Sequence, residues 1–224
     1  MKPIRPTSAS FSSLLAAFLL TGLCGFTQTA APDTARRSGL RLGFDLSRLA
    51  NYYITERKVQ GLEFSVDLAY RKLFYVAEAG VANTSKSQPS YQFATNGYYG
   101  RLGIERNMLK GGKDVMFFGA RYAFGAFNFR SDRFVAPDLY WGDFESSIGQ
   151  QNFTAHWLEG ISGLKGNVWQ NFYLGFTVRF KYRVSLSGNQ GLGSITIPGF
   201  GDAAKRSAFG FNYYIFYQIP FRDR

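Results

Sequence analysis

The 224-residue chain carries a formal charge of +11, is 18% aromatic with 23 Phe and 14 Tyr, and holds one cysteine and one histidine. The length suits a single domain, and past the N-terminus no stretch approaches the roughly 18 consecutive apolar residues of a membrane-spanning helix. A positive balance points to anionic surfaces, and for a chain that reads as exported these are lipid phosphates, with no nucleic acid expected as a partner.

The first element is a leader. Lys2 and Arg5 precede an apolar run over residues 14–23, followed by Thr27, Thr29, Ala30 and Ala31. This is the charged, apolar, small-residue order of a secretory signal, so residues 1–30 are expected as a cleaved signal peptide, 31–38 as a short periplasmic leader and 39–221 as the folded domain. Leu23 stands where a lipid-anchor site needs a small residue before its cysteine, so Cys24 is not expected to carry lipid. Loss of Cys24 with the signal leaves no thiol for disulfides or metal ligation.

From residue 39 onward the dominant period is two. Over 172–187, Leu174, Phe176, Val178, Phe180, Tyr182, Val184 and Leu186 alternate with Tyr173, Gly175, Thr177, Arg179, Lys181, Arg183 and Ser185. One strand face is therefore apolar and the other small or charged, for long enough to cross a bilayer at a tilt. The same signature recurs at 39–49, 60–70, 73–81, 97–106, 115–127, 153–165 and 207–221. Short connections (70–72, 108–114, 166–171) alternate with long ones (50–59, 82–96, 131–152, 188–206), as periplasmic turns alternate with external loops. The expectation is an all-β fold, an eight-stranded antiparallel up-and-down transmembrane β-barrel of outer-membrane type with both termini periplasmic.

Charged residues fall on the faces opposite the apolar ones: Arg41, Asp45, Glu63, Asp67, Glu78, Arg101, Glu105, Arg121, Glu159, Arg179, Lys181 and Arg183. Eight strands enclose a space just wide enough for side chains, so these are expected to pair across the lumen as an ion-pair network rather than line a channel. Loop bases Lys86, Arg130, Arg133, Lys205 and Arg206 are expected to meet outer-leaflet lipid phosphates. Tyr52, Tyr53, Tyr98, Tyr99, Tyr140, Trp141, Trp157, Trp169, Phe172 and Phe221, near strand ends, are expected in two interfacial belts.

Catalysis finds little footing. His156 is the lone histidine, and Ser162, six residues on, is about 20 Å away along an extended strand. No catalytic residues, no metal ligands and no cofactors are expected. Gly188, Gly191 and Gly193 lack a following helix, so they read as a flexible external loop and not a phosphate cradle.

Several short motifs resemble a known family. Leu42 to Arg48 (Leu-Gly-Phe-Asp-Leu-Ser-Arg), Ala155 to Glu159 (Ala-His-Trp-Leu-Glu), Asn171 with Gly175 and Arg179, Ile197-Pro198-Gly199-Phe200, and Phe209-Gly210-Phe211 with Ile219-Pro220 are similar to the domain of unknown function 6048 family. The resemblance implies an outer-membrane barrel of Bacteroidota with no assigned activity, and it transfers no catalytic residue. Arg222, Asp223 and Arg224 depart from the aromatic ending common to bacterial barrels.

The expected role is non-enzymatic, that of a structural or accessory subunit of an outer-membrane complex such as protein insertion or export machinery. Its partners would be outer-membrane lipid and other outer-membrane or periplasmic proteins. The alternatives are a lipid-active barrel enzyme, a lipid A acyl hydrolase or transferase using a rim serine with His156; a small pore; and a periplasmic calyx-type ligand carrier.

Overall fold

The structure, a computed structural model, describes residues 39–48, 59–70, 73–88, 91–109, 112–136, 144–187 and 196–221. Ten strands follow in chain order: β1 Gly39–Asp45, β2 Val59–Tyr70, β3 Leu73–Gln88, β4 Tyr91–Asn107, β5 Val115–Ala136, β6 Phe144–Trp169, β7 Phe172–Ser187, β8 Thr196–Ile197, β9 Gly201–Asp202 and β10 Ser207–Pro220. All but β8 and β9 form one closed barrel in which each strand lies antiparallel to its sequence neighbour and β1 pairs with both β2 and β10. Closure leaves this part of the sheet without an edge, and β8 and β9 make a separate small hairpin.

All eight predicted strands are present, and their faces follow the sequence alternation. On β7 the inward Tyr173, Gly175, Thr177, Arg179 and Lys181 are buried, while outward Phe176, Phe180 and Tyr182 are exposed. Above Lys181 the register slips, Trp157 standing opposite Arg183 and His156 opposite Ser185. The extra residue reverses the parity, so Leu186, expected outward, packs against the buried cluster around Trp157.

Two expected long loops are mostly strand. Residues 82–88 and 91–96 continue the β3–β4 pairing as far as Gln88 opposite Tyr91, and residues 131–136 and 144–152 carry β5–β6 to Ala136 opposite Phe144. Beyond Thr154, where β7 stops pairing, β6 goes on against β5, so β4, β5 and β6 rise as a wall above the β7–β10–β1 side. The opposite end has tight turns. The amide of Met108 donates to the Met116 carbonyl (2.8 Å), and the 166–171 connection shrinks to Gln170 and Asn171, with Gln170 in the left-handed region (φ 42°).

Candidate functional site

The candidate site is the lumen, built by alternate residues of all eight barrel strands. Asp45, Glu63, Asp67, Glu78, Arg101, Glu105, Arg121, Glu159 and Arg179 are each buried inside it. At its centre Glu78 receives Arg179 in a two-pronged contact (Nη1 to Oε2, 2.8 Å; Nη2 to Oε1, 2.9 Å), with Arg101 Nη1 at 3.1 Å and Arg121 also paired. The planar guanidinium fork matches a carboxylate edge, which orients Glu78 as well as neutralising it. Glu159 accepts from Arg179 Nη1 (3.0 Å) and Trp157 Nε1 (2.7 Å) and pairs with Arg101 Nε (2.9 Å). Glu63 accepts from Arg101 Nη1 (2.7 Å) and from the Tyr99 and Tyr214 hydroxyls. Each carboxylate thus has several donors, the condition under which buried ions are tolerated.

Toward the turn end, Lys165 joins Asp67 and Glu105 (Nζ to Glu105 Oε2, 2.8 Å), and its ammonium lies 4.7 Å from the Phe117 ring centre. The sequence reading missed Lys165. Its strand carries glycines at 160, 163 and 166, which blur the alternation around the one inward lysine. At the opposite end the chain leaves β1 through Ser47, whose amide (2.9 Å) and hydroxyl (2.6 Å) both donate to Asp45 Oδ1. That local turn carries Arg48 back over the mouth, where it reaches Glu63 (3.1 Å) and the Tyr99 ring (5.5 Å).

Three expected members of the ion-pair network, Arg41, Lys181 and Arg183, are inward without being ion-paired among the described residues. Arg41 is sandwiched between Phe74 (4.9 Å) and Tyr173 (4.8 Å), and its Nε donates to Gln218 Oε1 (3.3 Å). Aromatic faces attract a cation, and here they stand where a carboxylate was expected. Arg183 is half-buried and donates to the main-chain carbonyl of Ala203.

That contact belongs to the second half of the long connection expected over 188–206. Residues 196–206 fold back into the mouth as the β8–β9 hairpin, burying Ile197 and Phe200 against Tyr99, Phe127, Phe153 and Trp157. The tip carbonyl of Gly199 accepts from Lys181 Nζ (2.7 Å) and Arg101 Nη2 (3.0 Å), and Phe200 meets the Trp157 ring edge-on at 5.9 Å. Gly199 has a left-handed φ of 77°, and a Cβ there would stand 2.7 Å from the Tyr99 ring, so glycine is required twice over. Gly188, Gly191 and Gly193 precede this hairpin outside the described residues.

Of the aromatics expected in the belts, Tyr98, Trp169, Phe172 and Phe221 are exposed outside the barrel. Tyr99 and Trp157 instead point inward and are buried, because each stands next to an outward residue and strand parity allows only one of the two outside. Tyr52, Tyr53, Tyr140 and Trp141 lie outside the described residues, as do the side chains of Lys86 and Arg133. Arg130 points outward on the upper part of β5, and Lys205 and Arg206 are exposed beside the hairpin. His156 is on the outer wall, its Nδ1 2.5 Å from the Tyr122 hydroxyl and its ring 5.0 Å from that of Phe124. Ser162 shares that face six residues away, whereas Ser185 is the direct strand partner of His156.

The family-like motifs converge on this lumen. Asp45, Arg48, Trp157, Glu159 and Arg179 carry the charge network, Ile197 to Phe200 form the plug, and a Cβ on Gly175 would meet the Phe216 ring at 2.6 Å. No curated protein and no solved structure matches the chain. The family model described as a domain of unknown function, number 6048, matches residues 7–224, and the chain belongs to that family.

Proposed function

We propose that the protein is an outer-membrane β-barrel of Bacteroidota, exported through its N-terminal signal and serving as a structural or accessory subunit of a larger envelope complex, such as one for protein insertion or export. One observation carries the membrane part: the apolar side chains are on the outside. Leu62, Phe64, Leu102, Phe118, Leu158, Phe176, Phe180, Phe209 and Phe211 are all exposed, while the charges are within. A water-soluble protein does not present so large a continuous apolar surface, and hydrocarbon is the solvent that suits it. The outward run on β7, from Phe172 to Val184, corresponds to about 40 Å of strand at ~3.3 Å per residue, enough at the usual tilt for the ~25 Å apolar band of such barrels.

An accessory role follows from what fills the interior. Among the described residues ion pairs cross the middle and a hairpin fills the mouth, which favours the outer wall, the tall β4–β6 side and the turns as the working surfaces. The test is a pull-down of the tagged protein from its native envelope in mild detergent, with mass spectrometry of what accompanies it. Reproducible stoichiometric partners in the membrane fraction support the reading; recovery as a lone monomer, or release by carbonate without detergent, defeats it.

A second reading, a lipid-active enzyme, draws on His156 facing outward opposite Ser185 with Tyr122 on its Nδ1. A histidine oriented by one neighbour beside a serine is the beginning of a nucleophilic site. Replacing His156 by Ala and finding the lipid A acylation pattern unchanged would remove it.

A further inference from the structure

Buried acidic and basic side chains balance in the described lumen, and the half-buried Arg48 and Arg183 add positive charge at the mouth. Lys181 is buried, yet among the described residues its ammonium donates to neutral main-chain oxygens alone, Gly199 O at 2.7 Å and Phe200 O at 3.4 Å. Arg183 likewise donates to the Ala203 carbonyl, and Arg101 sends Nη2 to Gly199 O at 3.0 Å. Among the described residues neither Lys181 nor Arg183 has a carboxylate within ion-pair distance. A buried cation is ordinarily matched by an anion, because a neutral carbonyl replaces only part of its lost hydration.

Just above these cations the wall is apolar and aromatic. Phe127 stacks on Phe153 (5.5 Å, 14°), Phe93 stands 5.8 Å from Phe129, and Trp157 completes a cup now filled by Ile197 and Phe200. The hairpin thus presents an oxygen to the cations and an apolar body to the cup. We propose that the β8–β9 hairpin occupies a binding site for an anionic amphiphile. The ligand's carboxylate or phosphate head would take the place of the Gly199 and Phe200 carbonyls at Lys181 and Arg101, and its single apolar chain the place of Ile197 and Phe200. The head would bring the negative charge that the carbonyls lack. The ion pairs around Glu78 stay in place beneath it, so ligand entry opens the mouth without opening a channel.

Trp157 reports on this exchange because it touches Phe200 directly. With Trp141 and Trp169 changed to Phe, the mature protein in neutral maltoside micelles is titrated with dodecanoate, dodecyl phosphate and dodecanol while Trp157 emission is followed. A saturable shift with an anionic amphiphile and none with dodecanol is expected, and the two anionic probes tell a carboxylate ligand from a phosphate one. Lys181→Met should weaken the response at least tenfold. Phe200→Ala, which leaves the cations intact and loosens the present occupant, should tighten it severalfold. Absence of any shift, an equal response to dodecanol, or unchanged affinity in Phe200→Ala overturns the proposal. Should Lys181→Met fail to fold, Arg183→Gln at the half-buried rim serves instead, with weaker binding expected and unchanged affinity counting against the site.

Discussion

At the scale of the residue, similar-looking inward charges have different energetic roles. Glu78 takes three guanidinium groups at once, so Glu78→Gln leaves buried cations without their counter-ion. Breaking a buried pair from one side costs about 3–5 kcal/mol, and the variant should show that loss in urea unfolding of the refolded protein. Arg41 rests on Phe74, Tyr173 and Gln218, with no carboxylate partner among the described residues. Arg41→Met removes a desolvated charge and keeps much of the volume, so its stability should stay within about 1 kcal/mol of the parent under the same conditions. Both arginine and glutamate were readable from the sequence as inward, because period two fixes the face. Their partners were not, since pairing across a lumen depends on stagger between strands far apart in sequence: Arg179 and Glu78 are 101 residues apart.

At the scale of the element, the alternation survived wherever the two faces meet different surroundings and faded where they do not. The lower halves of the strands separate a charged interior from an apolar exterior, and their faces were legible residue by residue. On the upper parts of β3 to β5 the outward Asn83, Ser85, Asn96 and Asn128 are polar, so the alternation fades and these stretches look like loop in the sequence. The bulge at Trp157 and Arg183 is a single-residue slip within an otherwise regular run, and nothing in the composition of β7 announces it. The plug was hidden for a related reason: a two-residue strand pair around Pro198 and Gly199 is too short to show a period. Its tip is nonetheless strict in its requirements. Gly199→Ala meets both an unfavourable φ and the Tyr99 ring, so the hairpin should leave the mouth while the barrel stays closed. Limited proteolysis is expected to cut within 196–206 several times faster in the variant, with the heat-modifiable mobility of the barrel unchanged on gels. Loss of that mobility would mean that the plug is part of the barrel's own foundation.

At the scale of the whole molecule, the arrangement inverts that of a water-soluble domain, and the inversion can be tested at one side chain. Leu102 stands on the outer face of β4, 66% exposed, between Ala77 on β3 and Tyr122 on β5, five residues from the end of its strand. At ~3.3 Å per residue and the usual tilt, five residues place it about 12 Å above the turn end, near the middle of a band ~25 Å tall. If hydrocarbon surrounds the wall, Leu102→Arg puts a guanidinium near the midplane and costs about 2–4 kcal/mol, the range for basic substitutions at that depth of a barrel. If water surrounds it, an exposed leucine becomes an exposed arginine and stability moves by no more than roughly 0.5 kcal/mol. Folding titrations of the two proteins into lipid vesicles separate these cases. The same substitution at Leu109, exposed just past the turn end of β4, is the control for charge alone: Leu109→Arg should cost no more than about 1 kcal/mol in either medium. A full penalty at Leu102 with little at Leu109 supports lipid against the middle of the wall, and an equal response at the two sites would take the barrel out of the membrane.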